Sequence, residues 1–222
     1  MIILSWNVRG LRRPEKRRKI KNLVRERKID VLLLQETKRS KVDDKFLKSL
    51  WPWEELESME VGAEGSAGGL LCLWNPKIFE LKECCSNRNF LLLSGMGFHN
   101  FSCVIINIYA PNDVLKRRQL WYALAQLKSA FSSPWCIGGD FNEIRFMSER
   151  KGCFRWERGM KDFNELIEKL ELIDIPMLGR KFTWCNALDG DRWSRIDRFL
   201  LEPMWLERLQ LKQTVGATSN HF

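Results

Sequence analysis

Oxygen-bearing polar residues follow apolar runs at several points along the chain. The run in LSWNVRG ends at Asn7, the run in LLLQET ends at Glu36, and IGGDFNE places Asp140 and Asn142 directly after a short run. Asp197 lies inside the apolar segment SRIDRFLL, where a buried carboxylate must be paired or bind a cation because unpaired burial is costly. We predict that these residues contribute to one site.

The middle and the end of the chain add further candidates. Tyr109 follows the long apolar run of FSCVIINIYAPND, and the final letters TSNHF contain Ser219, Asn220 and His221. The chain has only two histidines, so a histidine at this position is a notable candidate. The candidates therefore extend from the start of the sequence to its last residues.

Taken singly, each of these residues has an ordinary structural explanation. Asn7 could be a turn residue, Glu36 could cap a helix, and Asp140 could form a turn after its two glycines. The combination, and not any single position, favours a functional site.

The chemistry that fits this set is hydrolysis of a phosphate ester. The carboxylates of Glu36, Asp140 and Asp197 are hard oxygen ligands, which favour Mg²⁺ over zinc. A cation offsets the charge of the phosphate, a carboxylate activates water, and amide, tyrosine or histidine donors stabilise the transition state.

The elements that must position these residues alternate between apolar strands and amphipathic helices. Pro14 opens a basic helix, since proline is well tolerated in the first turn. Further helices are predicted at 114–131, at 161–172 and in PMWLERLQ. Strands are predicted in IILSWNV, IDVLLLQET, GGLLCLW, FLLLSG, FSCVIINIYAPND, PWCIGGDFN, KFTWCN and SRIDRFLL. We therefore predict an α/β protein in which stacked sheets are flanked by helices.

Composition and charge limit the classes of protein. The 222 residues suffice for one large domain or two small ones, and 45% hydrophobic residues with ten tryptophans predict a real core. The net charge is +9, and eleven Lys or Arg stand against two Glu between Arg9 and Lys28. This cluster is typical either of a polyanion-binding surface or of a solvated helix face.

The expected compartment follows from what the sequence lacks. The longest apolar runs fall short of the roughly 18 residues that a membrane span needs. The start, MIILSWNVRG, reads as a strand and not as a signal peptide, so we expect an intracellular protein, nuclear or cytoplasmic, that is not secreted. The seven cysteines are odd in number and form no C-x-x-C pair, which predicts buried free thiols and not disulfides or a zinc site.

The ordered series SWNVRGL, LLLQETK, NIYAPND, GDFNEI, GRKFTW, SRIDRFL and TSNH resembles the endonuclease/exonuclease/phosphatase superfamily. This superfamily includes pancreatic-type DNase and the apurinic/apyrimidinic endonucleases. The sequence is most similar to the endonuclease domain of plant LINE-type (non-LTR) retrotransposons, from Ile2 to His221. The resemblance implies a DNase I-like four-layer sandwich, with two mixed β-sheets packed face to face and helices outside, as a single domain over residues 1–222.

The same resemblance implies a Mg²⁺-dependent phosphodiester hydrolase that nicks DNA, with Mn²⁺ as an alternative ion. Glu36 is then the main metal ligand, with Asn7 beside it. Asp140 orients or deprotonates the attacking water, Asn142 holds the scissile phosphate, and Tyr109 contacts phosphate. In related retrotransposons the nick leaves a 3′-hydroxyl that primes reverse transcription.

Other positions are assigned to the substrate by the same resemblance. Thr183, in KFTW, matches a position near the substrate backbone, and Ser219 and Arg9 are further substrate-binding candidates. Asp197 is expected to pair with His221 and to orient it toward the phosphate.

The end of the sequence departs from the family pattern. The family has Ser-Asp-His followed by a proline-containing apolar strand, whereas this chain has Ser219, Asn220, His221 and Phe222. An amide oxygen at Asn220 can still coordinate metal but lacks the charge of a carboxylate, which predicts an impaired enzyme. The missing last strand predicts a domain truncated after the Ser-Asn-His motif, either a fragment of a longer polyprotein with a reverse transcriptase or a decayed copy.

Two other functions remain open on the sequence. One is a phosphomonoesterase of the same superfamily, which the net charge and the match at GRKFTW disfavour. The other is a catalytically silent remnant that binds nucleic acid, which Asn220 and the shortened end favour.

Overall fold

The computed structural model describes residues 1–65, 67–152, 158–186 and 192–208, together with the backbone of residues 213–214. The chain divides into two compact units, Met1–Tyr109 and Ala110–Phe222. The prediction of a single domain over the whole chain stays a prediction.

The first unit contains both helices and strands. Its helices are α1 (Pro14–Arg27) and α2 (Asp44–Leu50). Its strands are β1 (Ile3–Asn7), β2 (Val31–Gln35), β3 (Glu57–Val61), β4 (Leu70–Trp74), β5 (Glu80–Asn87), β6 (Phe90–Gly97) and β7 (Phe101–Tyr109).

Two sheets pack face to face inside the first unit. One is mixed, with the order β1-β2-β4-β3, because β1 and β2 are parallel and the other pairs are antiparallel. The strands β5, β6 and β7 form an antiparallel meander. Strands β2 and β4 lie against β7, and β3 and β4 lie against β6. Every residue of β2 and β4 is buried, which explains why these strands are continuous apolar runs in the sequence.

The helices of the first unit cover the outer face of its mixed sheet. Helix α1 begins at Pro14, and its buried residues Ile20 and Val24 join a core cluster with side chains of β2 and β4. Helix α2 is capped by Asp43, whose carboxylate accepts the backbone N–H of Phe46 at 2.7 Å. Four basic residues of α1 are exposed, namely Arg18, Lys19, Arg25 and Arg27, whereas Lys16, Arg17 and Lys21 are partly buried.

The second unit has shorter strands. Its helices are α3 (Val114–Ala130), α4 (Arg158–Lys169) and α5 (Pro203–Arg208). Its strands are β8 (Trp135–Asp140), β9 (Arg150–Lys151), β10 (Ile173–Asp174), β11 (Met177–Leu178), β12 (Trp184–Cys185), β13 (Trp193–Ser194), β14 (Asp197–Leu201) and β15 (Gln213–Thr214).

Strand β14 lies between β8 and β10 and is antiparallel to both. A smaller antiparallel sheet has the order β12-β13-β9, and β11 pairs with β15 in parallel. Helices α3 and α4 pack together through Trp121 and Phe163, whose ring centroids are 5.2 Å apart, and Phe141 lies 5.2 Å from Phe163. This aromatic cluster fixes the helices next to the end of β8.

The α/β class is confirmed, and so are most of the predicted elements. The elements that were not predicted include α2, β3, β5 and the two-residue strands β9, β10, β11 and β15. Strands β3 and β5 lie at sheet edges and expose much of their length, so their sequences lack an apolar run. Helix α4 begins and ends three residues earlier than predicted, with Leu170 buried just beyond its end.

The cysteines agree with the prediction in part. Burial raises the pKa of the Cys72 and Cys103 thiols to about 12. Cys136 and Cys185 are buried as well, but Cys84 on the edge strand β5 is exposed, so the expectation of a buried thiol is wrong there. Within the described part of the chain, none of the helices combines the length and apolar character needed to cross a membrane.

Candidate functional site

Asn7 and Glu36 meet at one edge of the mixed sheet. Strands β1 and β2 are parallel and in register, with Asn7 opposite Gln35, so their carboxyl ends lie at the same edge. Asn7 is the last residue of β1, and Glu36 follows β2 directly. The amide Nδ2 of Asn7 donates a hydrogen bond to Oε1 of Glu36 at 2.8 Å. Residues 29 positions apart are thus brought together by strand pairing.

The surroundings fix this pair in place. The side-chain oxygen of Asn7 accepts the backbone N–H of Arg9 at 3.2 Å, so both ends of the amide are engaged. The Nζ of Lys38 lies 3.8 Å from the second carboxylate oxygen of Glu36. The Glu36 side chain is 19% exposed, which leaves its carboxylate partly accessible to solvent.

The backbone around Glu36 is strained. Arg9, Glu36 and Lys38 have φ angles of 46°, 53° and 54°, a left-handed conformation that side chains other than glycine seldom adopt. A hydrogen bond of 2.6 Å from the N–H of Gly10 to the carbonyl of Glu36 ties the two strained loops together. Strain of this kind persists only where surrounding contacts enforce it, and it concentrates at functional sites.

A buried polar network supports the same strand ends. Gln35 and Asn107 are both 0% exposed, and Gln35 Nε2 donates to Asn107 Oδ1 at 2.6 Å across the two sheets. Asn107 Nδ2 donates to the carbonyls of Leu34 and Leu71 at 3.1 and 3.3 Å. Sequence reasoning missed this network, although a polar residue inside each apolar run was a visible signal.

Tyr109 is the last residue of β7. Its backbone is held by Asn89, whose carbonyl accepts the Tyr109 N–H at 2.8 Å and whose amide donates to the Tyr109 carbonyl at 3.1 Å. The predicted contact of Tyr109 with phosphate stays a prediction.

In the second unit, two carboxylates face each other across paired strands. Asp140 ends β8 and Asp197 begins β14, and the two are direct partners in the antiparallel register. Asp140 Oδ1 accepts the backbone N–H of Asn142 at 2.9 Å, and Asn142 Nδ2 donates to the carbonyl of Ala110 at 2.6 Å. Asn142 has a φ of 49°, so it too is left-handed. Asp140, Asn142 and Asp197 thus lie at one end of this strand pair.

The side chain of Thr183 binds the backbone at the start of β14. Its hydroxyl oxygen accepts the backbone N–H groups of Ile196 and Asp197 at 3.1 and 3.0 Å. The hydroxyl proton is not used in these two bonds. Sequence reasoning assigned Thr183 to the substrate backbone and did not foresee that it holds Asp197.

A group of buried charges anchors the same segment. Arg195 and Arg198 each bridge Glu149 and Asp174 at distances from 2.7 to 3.1 Å. Burial by itself would raise the pKa of Glu149. The hydrogen bond and charge of Arg198 outweigh it, with help from the backbone N–H of Arg145 and the charge of Arg195, so the pKa is lowered. Sequence reasoning missed this group, although RIDR places an arginine on each side of Asp197.

Three of the predicted site residues, Ser219, Asn220 and His221, lie outside the described residues. The expected pairing of Asp197 with His221 therefore lies outside them as well. The same holds for the expectation that the last strand is missing.

The pair of Glu36 and Asn7 fits magnesium. Among the described residues there is no group of three or more His, Cys, Asp or Glu arranged to hold a metal ion. Magnesium does not need such a group, since it is commonly held by one or two carboxylates and retains several waters. A partly exposed carboxylate fixed by an amide meets that requirement and does not resemble the nitrogen and sulfur sets of zinc sites.

Solved structures of other proteins share the fold. The 3′-5′ exonuclease NExo from Neisseria meningitidis matches with a TM-score of 0.74 and 18% identity, over 100% of this chain and 96% of that chain. The AP endonuclease LMAP from Leishmania major matches with 0.68 and 16%, over 92% and 80%. The endonuclease domain of TRAS1, a telomere-specific non-LTR retrotransposon, matches with 0.68 and 13%, over 92% and 86%. They show an α/β fold with two mixed sheets, and at these identities they show the fold alone.

The sequence itself carries the family assignment. The profile of the endonuclease/exonuclease/phosphatase family matches residues 4–221, nearly the whole chain. This confirms the resemblance found in the ordered motifs, and it indicates a hydrolase of the nuclease or phosphatase type. The chain belongs to the endonuclease/exonuclease/phosphatase family.

Proposed function

We propose that this chain is a Mg²⁺-dependent phosphodiester hydrolase that nicks DNA and derives from the endonuclease domain of a non-LTR retrotransposon. The observation that carries the proposal is the pair of Glu36 and Asn7 in its strained setting. A left-handed residue other than glycine costs about 1–3 kcal/mol, and Glu36 and two residues near it, Arg9 and Lys38, adopt this conformation. This cost in backbone energy is consistent with a carboxylate that is held in place for a cation.

The roles of the first unit centre on the ion. Glu36 would hold Mg²⁺, Asn7 would hold Glu36, and the ion, when bound, would offset negative charge on the phosphate oxygens. Arg9 and Tyr109 would contact phosphate oxygens. The left-handed turn at Glu36 keeps the carboxylate fixed before the substrate arrives, which limits reorganisation during the reaction.

The roles of the second unit centre on water and phosphate. Asp140 would orient the attacking water and take its proton, and Asn142 would donate a hydrogen bond to the scissile phosphate. His221 would donate to a phosphate oxygen, with Asp197 fixing its orientation. Ser219 and the hydroxyl group of Thr183 would contact the substrate backbone.

DNA is the substrate that the charge distribution favours. Partial burial is the main cause that lowers the pKa of the Lys16 ammonium. The positive charges of Arg13, Arg9 and Lys38 lower it further. These basic side chains therefore lie close together near the loops that carry Glu36, where the phosphate groups of a DNA backbone would offset their repulsion. The similar structures named above, an exonuclease and two endonucleases, support the same class of substrate.

We also propose that Asn220 lowers the activity of the enzyme. An amide there lacks the charge of the family's aspartate, so we propose that nicking is impaired but not abolished. In a retrotransposon polyprotein the nick would supply the 3′-hydroxyl from which a reverse transcriptase extends.

A plasmid assay tests the proposal. Supercoiled plasmid with Mg²⁺ should be converted to the open circle, and Glu36→Gln should slow this at least about 100-fold. The matched control is Glu60→Gln, which changes the same residue type on the edge strand of the same sheet. Removal of divalent ions with EDTA should stop nicking in every variant.

The contrary outcomes are specific. Binding without nicking, both in the natural chain and in Asn220→Asp, would contradict the proposal and favour a silent nucleic-acid-binding remnant. Release of inorganic phosphate from a 3′-phosphate without any nicking would favour a phosphomonoesterase.

A further inference from the structure

A buried ion pair in the second unit has no part in the roles proposed so far. Arg117 of α3 is 4% exposed and Glu143 is 0% exposed, and Arg117 Nη2 donates to Glu143 Oε2 at 2.8 Å. Burying two charges is costly, and apolar side chains of similar volume often give equal or greater stability. The pair therefore needs an explanation other than stability.

The pair ties two chain segments together. Arg117 Nη1 donates to the backbone carbonyls of Pro111 and Asn112 at 3.0 and 2.7 Å. Glu143 Oε1 accepts the backbone N–H of Ile144 at 3.0 Å. One charge thus holds the segment before α3, and the other holds the segment after β8.

Asn142 lies where these two segments meet. Its side-chain amide donates to the carbonyl of Ala110 at 2.6 Å, and its backbone N–H donates to Asp140 Oδ1 at 2.9 Å. Ala110 in turn donates its N–H to the Asp140 carbonyl at 2.8 Å. Asn142 has a left-handed φ of 49°, and these hydrogen bonds join its side chain and its backbone N–H to the two segments.

Helix α4 closes over the pair. A Cβ atom at Gly159 would overlap Oε2 of Glu143 and approach Nη2 of Arg117 to 3.2 Å. The absence of a side chain at this position lets the helix backbone cover the two charges. Water is thereby kept from the bond between Arg117 and Glu143, which strengthens it.

We propose that the pair of Arg117 and Glu143, here called the buried clamp, positions Asn142 for its role toward the phosphate. Both are positioning residues that act through Asn142 and do not touch the substrate. The inference rests on the proposed function for its catalytic consequence. Its structural consequence, the ordering of residues 110 and 142, can be measured without any activity.

The first test replaces the clamp by apolar residues. The double variant Arg117→Met/Glu143→Leu should keep a melting temperature close to that of the unaltered chain. Its kcat for nicking should fall about 10- to 100-fold with little change in KM, since small misplacements of a positioned group have effects of this size. A double variant that is stable and fully active would overturn the proposal.

The chain offers a matched control one residue along the same helix. Arg118 donates two hydrogen bonds to Asp162 of α4, at 2.9 and 3.1 Å, and neither residue contacts the segments around Asn142 in these bonds. Arg118→Met/Asp162→Leu removes an ion pair between α3 and α4 and should leave nicking unchanged. An equal loss of kcat in this control would mean that any disturbance of the helices acts alike, which overturns the specific role of the clamp.

A double-mutant cycle asks whether the clamp acts through Asn142. In an Asn142→Ala background, removing the clamp should cost less than about threefold in kcat, because the positioned group is already gone. Independent, multiplicative losses would overturn the proposal.

Hydrogen exchange gives the readout that does not depend on nicking. The backbone N–H groups of Asn142 and Ala110 should exchange at least about 10-fold faster without the clamp than in the Arg118 control. Arg117→Lys, which keeps the charge but loses the planar fork, should show the same change if the double variant does not fold. If both amides exchange at an unchanged rate in the variants without the clamp, the proposed role of the clamp is wrong, even if the protein nicks DNA. If exchange is faster without the clamp but the unaltered protein does not nick DNA, the role of the clamp is supported and the proposed function is wrong.

Discussion

The side-chain amide of Asn7 makes two hydrogen bonds. Its Nδ2 donates to Glu36, and its Oδ1 accepts the backbone N–H of Arg9. The sequence predicted Asn7 and Glu36 as metal-binding residues, and that stays a prediction. In the proposed function the hydrogen bond gives Asn7 the role of orienting Glu36. Groups that orient a metal ligand typically change metal affinity by 10- to 100-fold when they are removed.

Replacement of Asn7 by alanine should therefore act mainly on the ion. We expect Asn7→Ala to raise the Mg²⁺ concentration for half-maximal nicking at least about 10-fold. Titration of the nicking rate with Mg²⁺ measures this directly. Asn87→Ala, which removes a similar side-chain cap from the turn between β5 and β6, is the control. An unchanged Mg²⁺ requirement would show that Asn7 does not act through Glu36.

Asn220 is the second residue with a defined expectation. Asn220→Asp restores the carboxylate of the family pattern and should raise the nicking rate about 10-fold or more. The control Asn100→Asp adds the same charge at an exposed position in the first unit. A rate that rises equally in both variants, or in neither, would count against a role of the amide in impairment.

At the scale of elements, strand β14 is placed by charges and not by apolar packing alone. Arg195 and Arg198 both reach Glu149 and Asp174, and Thr183 holds the backbone N–H of Asp197. The position of the Asp197 carboxylate thus depends on buried groups that never approach the phosphate in the proposed reaction.

The lowered pKa of Glu149 gives this arrangement a pH dependence. Above the ordinary value of 4.5 the carboxylate is ionised in both folded and unfolded chains, and its stabilisation is complete. As the pH falls below that value, the unfolded chain takes up the proton first. The stabilisation is then lost as the pH falls through the lowered pKa of the folded state.

Urea unfolding of the natural chain and of Glu149→Gln can measure this effect. Near neutral pH, Glu149→Gln should lower the free energy of unfolding by about 3–5 kcal/mol, because the variant leaves buried arginines without this carboxylate. The difference between the two proteins should shrink as the pH is lowered below about 4.5. Glu165→Gln, on the exposed face of α4, should change stability by less than about 0.5 kcal/mol. A difference that stays constant at acidic pH would contradict the assignment.

The elements also explain what the sequence could predict. Strands β2 and β4 are buried on both faces and so read as continuous apolar runs, and Glu36 was found because it follows such a run. Edge strands β3 and β5 left no comparable pattern. The bond from Gln35 to Asn107 joins residues 72 positions apart, and no local pattern specifies which two buried polar residues will meet.

At the scale of the whole molecule, a net charge of +9 predicts salt-dependent binding to DNA. The basic residues are concentrated in and before α1, and Arg13 lies among the cations that lower the pKa of Lys16. We therefore expect the end of α1 near Glu36, and not its far end, to contact phosphates.

Two matched double variants separate the ends of this helix. Arg12→Gln/Arg13→Gln should reduce the magnitude of the slope of log affinity against log salt concentration by about 1–2. Each phosphate contact that is lost lowers the magnitude of this slope by about 0.9. Arg25→Gln/Arg27→Gln removes the same charge from the last turn and should leave the slope unchanged. Fluorescence anisotropy with a short duplex at several salt concentrations gives both values. Equal reductions would show a diffuse effect of net charge.

The φ of 53° at Glu36 has a consequence for how this protein can change over generations. Glycine or asparagine fits that backbone better than glutamate does, so mutation under selection for folding alone would drift away from the carboxylate. A lineage that had lost its use for nicking would be free to make that exchange and would gain from it in backbone energy. On the proposed function, the glutamate serves through its carboxylate at a cost in backbone energy.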